Sequence, residues 1–313
     1  MTTDNAKTTA FIFPGQGSQK VGMGLDFFDT YQEAKQVFLE VDDAIGKPLS
    51  KIIFEGPQDD LNLTENTQPA IMATSIAIWR VLEAEHPIQN YCSFVAGHSL
   101  GEYSALCAAG ALTLADTAKL LKIRGEAMQK AVPVGVGSMA AIIGLNFDDV
   151  DAIAREAGCE AANDNTDGQV VISGTKETVA KAMELAKAKG AKRALELPVS
   201  APFHCKLMQP AADIMAEALE AVTIHIPKVP VIANVTAAAT TNPDEIRKLL
   251  VQQVTGRVRW RESVQYLGKQ GVDNLVEIGY GKVLTGMTKR IVETMSGSCI
   301  QTIDDVKPET KVA

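Results

Sequence analysis

The feature that most restricts the fold of this chain is a serine between two glycines, at the junction of two apolar segments. The sequence GHSLG at residues 97–101 fits the pattern G-x-S-x-G. The segment 93–97 before it predicts a buried strand, and the segment 100–109 after it predicts a buried, almost wholly apolar helix. A serine at such a strand-to-helix turn has a strained backbone and an exposed hydroxyl, as a nucleophile requires. A plain glycine-rich turn with a capping serine is the alternative, and the flanking strand and helix favour the nucleophile.

Short apolar runs alternate with helical patterns along most of the chain, which predicts an α/β fold with a mostly parallel sheet covered on both faces. Between residues 132 and 198 the order changes to strand, helix, strand, strand, helix, strand, the order of a ferredoxin-like unit. We therefore predict a large α/β domain over residues 1–131 and 199–313, interrupted by a small α+β insert over 132–198. The longer helical patterns outside the insert cover residues 28–41, 69–85, 113–131, 209–221, 243–254, 261–269 and 283–294, and the two inside it cover residues 147–157 and 176–188.

Charge and hydropathy exclude several classes of partner. The chain has 38 acidic and 30 basic residues, a formal net charge of −8. Nucleic acid is not expected as a partner, because phosphate binding needs a basic patch. The apolar stretch 105–115 is too short to cross a bilayer, and the N-terminus has no signal-peptide pattern. We expect a cytoplasmic protein with no membrane partner.

The cysteines argue against a disulfide framework or a zinc site. They are odd in number, and no two of them have C-x-x-C spacing. This usage fits a reducing compartment, and neither a metal nor a cofactor is expected. Cys205 is interpreted as a buried structural thiol, because no neighbour in the sequence would lower its pKa. The cysteines are Cys92, Cys107, Cys159, Cys205 and Cys299.

A serine nucleophile needs a base, and the chain has 4 histidines. His86, at the end of a helical pattern, and His225, in an alternating run, are interpreted as surface residues. His98 adjoins the serine, so its side chain should point away from the reacting face, and a structural role is favoured. His204 lies in the loop that returns from the insert to the large domain, where functional residues are frequent. By elimination, His204 is the candidate base.

One arginine lies on the apolar side of a predicted helix. At 3.6 residues per turn, the segment 113–131 places Arg124 among Leu120, Leu121 and Met128. An unpaired guanidinium is costly to bury, so Arg124 should have an anionic partner. A buried carboxylate of the protein is one candidate. A carboxylate of the substrate is the other, because this helix directly follows the nucleophile helix and arginine binds carboxylates in a two-pronged fork.

A glycine-rich loop, PGQGSQ at residues 14–19, follows the first predicted strand. It fails the dinucleotide pattern G-x-G-x-x-G because Lys20 occupies the third glycine position, and it lacks the Gly-Lys-Ser/Thr ending of a phosphate loop. A functional interpretation is that the N–H of Gln16 is a second oxyanion donor beside the N–H of Leu100. A plain turn is the alternative.

Several ordered segments resemble the malonyl-CoA:acyl carrier protein transacylase family, and together they span nearly the whole chain. Tyr280 departs from the family pattern, in which Pro or Ala is common between the two glycines. The segments are FPGQGSQ at 13–19, GHSLGEY at 97–103, Arg124 with Gly125 and Met128, HCKLM at 204–208, Gln253, and GYGKVLTG at 279–286.

The resemblance implies a ping-pong transfer in fatty acid biosynthesis by a monomeric enzyme. Malonyl-CoA would acylate Ser99 while His204 takes the proton, and the phosphopantetheine thiol of holo acyl carrier protein would then take the malonyl group. Arg124 would bind the malonyl carboxylate. The implied fold is a hydrolase-like α/β domain with a ferredoxin-like insert.

The resemblance also implies roles for supporting residues. The N–H groups of Gln16 and Leu100 would form the oxyanion hole. The backbone carbonyl of Gln253 would orient the histidine, so no acidic triad member is required. In related synthase domains a Phe at the position of Phe203 accompanies malonyl rather than methylmalonyl. His98 and Met128 complete the set of supporting residues.

Three other functions are weighed against this one. A serine esterase or lipase shares G-x-S-x-G, but it usually has an acidic triad member and gains nothing from a buried Arg124. A non-catalytic docking module for carrier proteins predicts that Ser99→Ala leaves function intact. A transacylase for another acyl-CoA, such as methylmalonyl-CoA in polyketide synthesis, shares most of the same features.

Overall fold

The structure, a computed structural model, describes residues 8–85, 92–199 and 201–306. Within these ranges strands and helices alternate along most of the chain. The strands are β1 (Thr9–Phe13), β2 (Cys92–Gly97), β3 (Gly137–Ile143), β4 (Glu160–Thr166), β5 (Gln169–Thr175), β6 (Arg193–Glu196), β7 (Val231–Ala233), β8 (Ala238–Thr240), β9 (Asn274–Ile278) and β10 (Ser296–Ile300).

The helices are mostly amphipathic and cover the strands. None of those in the described ranges combines the length and the apolar composition that crossing a membrane requires. The helices are α1 (Leu25–Thr30), α2 (Gln32–Ile45), α3 (Leu49–Glu55), α4 (Gln58–Asn62), α5 (Thr64–Glu85), α6 (Gly101–Ala108), α7 (Leu114–Lys130), α8 (Phe147–Ala157), α9 (Lys176–Ala188), α10 (Gln209–Glu220), α11 (Pro243–Thr255), α12 (Trp260–Lys269) and α13 (Thr285–Ile291).

The larger sheet is mostly parallel. Its strand order is β10-β9-β1-β2-β7-β8, and of the pairs that this sheet forms in the described ranges only β7 with β8 is antiparallel. The inner strand β1 is buried along its whole length, as expected for a parallel strand with helices on both faces. The predicted α/β class with a mostly parallel sheet is therefore confirmed.

The carboxyl ends of the parallel strands bring three loops to one edge of this sheet. β1 leads into the glycine-rich loop at 14–19, β2 into the turn that contains Ser99, and β7 into Asn234. Ligands of open α/β sheets bind at this edge. The topology thus places the candidate nucleophile beside the loop that contains Gln16.

The smaller sheet is antiparallel, with the strand order β4-β5-β3-β6. Its elements follow one another as β3, α8, β4, β5, α9 and β6, which is the order predicted between residues 132 and 198. An apolar cluster separate from the main core holds this unit together, and Ile142, Val150, Ile172 and Val179 belong to it.

Two helix predictions are wrong in their bounds. The pattern at 28–41 forms two helices, because Tyr31 is extended between α1 and α2, with φ −118° and ψ 127°. The helix predicted to begin at Pro69 begins at Thr64, so Pro69 lies inside α5. The polar residues before Pro69 resemble a loop, yet they fold as helix because their side chains bond internally. Thr67, for example, donates to the carbonyl of Leu61 at 2.6 Å.

Several short elements had no sequence prediction, namely α3, α4, β8 and β10. β8 and β10 are the edge strands of the larger sheet, where a continuous apolar run is not needed. The last helix is shorter than the predicted range 283–294, since α13 ends at Ile291 and Val292 is already extended.

Candidate active site

Ser99 occupies a sharp turn between β2 and α6. Its φ is +55°, in the left-handed region that residues with a side chain seldom adopt. The two flanking residues must be glycine for steric reasons. A Cβ on Gly97 would lie 1.9 Å from the carbonyl oxygen of Gly101, and a Cβ on Gly101 would lie 2.3 Å from the carbonyl oxygen of Phe13. The G-x-S-x-G sequence therefore lets the start of α6 pack directly on the ends of the strands.

The structure brings the imidazole of His204 to the hydroxyl of Ser99. The distance from Nε2 of His204 to Oγ of Ser99 is 2.7 Å. On the other side of the ring, Nδ1 lies 2.9 Å from the backbone carbonyl oxygen of Gln253 in α11. A carbonyl only accepts, so Nδ1 carries the proton and Nε2 is free to accept the proton of the hydroxyl.

The environment of His204 keeps its ring neutral. The side chain is buried, and this burial, together with the nearby Arg124 guanidinium, lowers the pKa of His204 to about 3. Above that pH the imidazole is unprotonated, which is the form that a general base needs.

Arg124 is buried between α5 and α11, with only 1% of its surface exposed. Nη1 donates to Oε1 of Gln68 at 2.8 Å, and Nη2 donates to Oε1 of Gln253 at 2.9 Å and to Oγ of Ser99 at 3.2 Å. No carboxylate in the described ranges pairs with this guanidinium, and its Nε has no hydrogen-bond partner there. Neutral amides thus hold the cation beside the nucleophile without neutralising it.

These groups open onto a cavity of about 730 Å³. One wall comes from the larger sheet and its loops. The other includes Met139 of β3 and Asn163 of β4 in the smaller unit. Gln253 lies behind the cavity and supports Arg124 and His204. The predicted site residues that line the cavity are Gln16, His98, Ser99, Leu100, Arg124, Met128, Phe203 and His204.

The residues of the two candidate oxyanion donors, Gln16 and Leu100, both line the cavity that contains Ser99. The residues described here offer no hydrogen-bond acceptor to the N–H of Gln16 or of Leu100. Leu100 begins the turn that leads into α6, and its side chain is buried. Backbone N–H groups left free at a helix start are suited to a developing negative charge.

Comparison with known proteins shows the family of this chain. The family model described as an acyl transferase domain matches residues 10–312. The malonyl CoA-acyl carrier protein transacylase of Escherichia coli (strain K12) is 48% identical over 295 residues, which cover 93% of this chain and 95% of that protein. The chain belongs to this family of acyl transferases.

Solved structures of the family are also similar. The crystal structure of acyl-carrier-protein-S-malonyltransferase from Bartonella henselae superposes with a TM-score of 0.95 at 53% identity, covering 97% of this chain and 98% of that one. A malonyl-transacylase in complex with its type II PKS acyl-carrier protein gives a TM-score of 0.92 at 44% identity, covering 95% of this chain and 97% of that one.

Of the other histidines in the described ranges, neither is hydrogen-bonded to the Ser99 hydroxyl. Nε2 of His98 lies 2.9 Å from Oδ1 of Asn165, so this side chain links the serine turn to β4. Burial lowers the pKa of His98. His225 is exposed, and His86 lies outside the described residues.

The cysteines show no sign of reactivity. All five are free, and burial raises the pKa of Cys205, whose Sγ lies 3.1 Å from the carbonyl oxygen of Pro202. In the described part of the chain, no cluster of three or more His, Cys, Asp or Glu residues is arranged to hold a metal ion.

Sequence reasoning missed two buried polar residues beneath the serine turn. Asn234 accepts from the N–H of Ser99 at 2.7 Å and donates to the carbonyl of Gly97 at 2.7 Å. Glu102 accepts from the N–H of Asn234 at 2.9 Å and from Nε2 of Gln253 at 2.8 Å. Glu102 had a detectable signal, since it is a charged residue inside a helix otherwise apolar enough to be buried. Asn234 had none.

Proposed function

We propose that this chain transfers the malonyl group of malonyl-CoA to the phosphopantetheine thiol of holo acyl carrier protein in fatty acid biosynthesis, through an acyl-enzyme on Ser99. One observation carries the proposal. Oγ of Ser99 lies 2.7 Å from Nε2 of His204 and 3.2 Å from Nη2 of Arg124, a buried cation with no carboxylate partner in the described ranges. A malonyl thioester has a free carboxylate that would complete this pair, whereas a neutral ester has none.

In the first half-reaction, Oγ of Ser99 bonds to the thioester carbonyl carbon while its proton passes to Nε2 of His204. The N–H groups of Gln16 and Leu100 stabilise the oxyanion of the tetrahedral intermediate. Collapse of the intermediate breaks the carbon–sulfur bond, and the imidazolium of His204 returns the proton to the CoA sulfur. The products are malonyl-Ser99 and free CoA.

In the second half-reaction, the carrier's phosphopantetheine thiol gives its proton to His204, and its sulfur attacks the ester carbonyl carbon. The bond to Oγ of Ser99 then breaks, and Oγ takes the proton back. The carbonyl of Gln253 fixes the ring of His204 and stabilises its charged form in both halves, which is the task of the acidic residue in a Ser-His-Asp triad. The relative solved with a carrier protein supports this choice of acceptor.

We also propose a division of the chain into domains. The order β4-β5-β3-β6 with its separate apolar cluster supports a ferredoxin-like subdomain over residues 132–198. Residues 1–131 and 199–313 would then form a hydrolase-like catalytic domain. The free cysteines support action in the cytoplasm, and the family resemblance supports a monomer.

Intact-mass measurement tests the proposal. Wild-type protein mixed with malonyl-CoA should gain one malonyl group, which added holo acyl carrier protein should remove and carry. Ser99→Ala should gain none, because the attacking oxygen is missing. The control Ser298→Ala changes an exposed serine of β10 and should behave as wild type. An adduct on Ser99→Ala, or release of free malonate instead of transfer, would contradict the proposal, and the second result would favour an esterase.

A further inference from the structure

Glu102 is a buried carboxylate that the proposed reaction does not use directly. It lies in the first turn of α6 with 3% of its surface exposed. Oε2 accepts from the N–H of Asn234 and from Nε2 of Gln253. Among the residues of the described ranges, no cation forms an ion pair with it. Burying a carboxylate that has hydrogen bonds but no ion pair costs free energy, so we expect Glu102 to have a functional role.

The two residues that Glu102 binds both hold the serine turn. Asn234 binds the N–H of Ser99 and the carbonyl of Gly97, each at 2.7 Å. Nε2 of Gln253 donates to the carbonyl of Ser99 at 3.0 Å. The strained backbone of Ser99 is thus bound on both sides by two residues that donate to Glu102, Asn234 through its backbone N–H and Gln253 through its side chain.

Gln253 connects Glu102 to the other functional groups. A carboxylate only accepts hydrogen bonds and a guanidinium only donates them. One amide orientation satisfies both neighbours, with Nε2 of Gln253 on Glu102 and Oε1 on Nη2 of Arg124 at 2.9 Å. The backbone carbonyl of the same residue binds His204. Glu102 and the carbonyl of Ser99 therefore both hold Nε2 of Gln253, which leaves Oε1 to face the cation.

We propose that Glu102 is a positioning residue of the acyl transfer, whose ionised carboxylate holds the Gln253 amide so that Arg124 keeps an oxygen acceptor and its remaining N–H groups face the acyl group's carboxylate. The inference rests on the proposed function. Glu102 places a negative charge near the buried cation without pairing with it. It offsets part of the burial cost of Arg124 and leaves the guanidinium free for the substrate.

The ionisation of Glu102 makes the arrangement sensitive to pH. Burial raises the pKa of Glu102 to about 7, although its hydrogen bonds from Asn234 and Gln253 and the charge of Arg124 oppose the rise. The ionisable groups that face it are Arg124 from α7 and Tyr103 from its own helix. As the pH falls through about 7, Glu102 takes up a proton and loses its charge, so the hydrogen bond that it accepts from Nε2 of Gln253 becomes weaker. His204, with a pKa of about 3, does not titrate there.

The test measures single-turnover acylation of Ser99 from malonyl-CoA and from acetyl-CoA, at pH values on both sides of 7. Glu102→Gln removes the charge and can place an NH2 donor against Nε2 of Gln253, so the Gln253 amide loses a strong acceptor and is held less firmly against Arg124. We expect malonyl transfer to fall by about 10- to 100-fold and acetyl transfer to fall less, as for the loss of a charge-assisted hydrogen bond. We also expect the decline of malonyl transfer near pH 7 in the wild type to disappear. The matched control Glu184→Gln changes an exposed carboxylate of α9 and should match the wild type.

Two outcomes overturn the inference: an equal loss of malonyl and acetyl transfer, which a merely structural role predicts, or a pH profile that Glu102→Gln leaves unchanged. If Glu102→Gln does not fold, Glu102→Asp tests the inference instead. Glu102→Asp keeps the charge, so it should keep both the decline of malonyl transfer near pH 7 and the preference for malonyl. A wild type that forms no acyl-enzyme refutes the proposed function itself, whereas acylation unaffected by Glu102→Gln refutes the positioning role alone.

Discussion

At the scale of single residues, the site consists of polar groups, and the donors and acceptors around each group allow few other hydrogen-bonding arrangements. His204 accepts from Ser99 because its other nitrogen is bound to a carbonyl. Arg124 is held by two neutral amide oxygens, which leave its charge uncompensated. The strained φ of Ser99 is held by Asn234, which binds the N–H of Ser99 and the carbonyl of Gly97, and by Gln253, which binds the carbonyl of Ser99. Each functional side chain therefore depends on neighbours that take no part in the chemistry.

Asn234→Ala should expose this dependence. The substitution leaves the N–H of Ser99 and the buried carbonyl of Gly97 without partners. Unsatisfied buried groups are costly, so the free energy of unfolding should fall by about 2–4 kcal/mol. Denaturant unfolding measures it, with Gln36→Ala, an exposed amide of α2, as the control. A loss no greater than that of the control would show that Asn234 does not hold the turn.

Sequence analysis found the site residues that have a recognisable sequence pattern. It missed the residues whose role depends on contacts that only the folded structure makes. Ser99 lies in a recognisable pattern, and Arg124 is a charge on an apolar helix face. His204 followed by elimination, and the structure places all three together. Asn234 could not be found, because its role depends on β7 lying beside β2, a contact between distant parts of the chain.

At the scale of elements, the junction of β2 and α6 is the most tightly packed part of the site. A methyl group on Gly101 would meet backbone atoms of Phe13 and Pro14, at 2.3 and 2.8 Å from their carbonyl oxygens. Backbone atoms of a central strand cannot move aside easily, so the start of α6 has no room for any larger residue.

Gly101→Ala should therefore destabilise the protein strongly. Overpacking against the backbone should lower the free energy of unfolding by about 3 kcal/mol or more. Gly286→Ala is the matched control, since a Cβ there meets no atom within 4 Å and alanine favours the helix by about 0.5 kcal/mol. Denaturant unfolding of both variants checks this contrast, and equal stabilities would show that the close approach is absent.

Helices with complete local patterns were predicted well. The ranges of α8 and α9 agree with prediction at both ends, because each begins with a side-chain cap, at Asn146 and at Thr175. The interruption at Tyr31 was missed because α2 begins there without a side-chain cap, and the early start of α5 was missed because its polar first turn resembles a loop.

At the scale of the whole molecule, the cavity depends on how the smaller sheet is attached to the larger one. Asp164 of β4 is fully buried and accepts three hydrogen bonds from Arg261 of α12, at 2.8 to 3.1 Å. A β-bridge joins Asn163 to Val258, and His98 reaches Asn165. These contacts fix one wall of the cavity relative to the nucleophile. Alternating strands and helices predicted the two units, but not the contacts that join them.

Asp164→Asn should weaken this attachment. Removing the charge of Asp164 from this two-pronged ion pair should lower the free energy of unfolding by about 2–3 kcal/mol. The expected loss is smaller than for a fully buried pair because Arg261 is partly exposed. The control Asp151→Asn breaks the surface ion pair with Arg155, and it should change the free energy of unfolding by less than about 1 kcal/mol. Thermal or denaturant unfolding distinguishes them, and equal effects would contradict a structural role for the Asp164 pair.

The central claim is that Arg124 selects the acyl group that Ser99 carries. The most direct measurement is the single-turnover rate of Ser99 acylation by malonyl-CoA and by acetyl-CoA in Arg124→Ala, with the exposed Arg80→Ala as control. Loss of a buried charge-assisted fork is worth about 2–5 kcal/mol, so malonyl transfer should fall by about 30- to 4,000-fold. Acetyl transfer should be unchanged or faster. An equal fall for both acyl groups would contradict the claim.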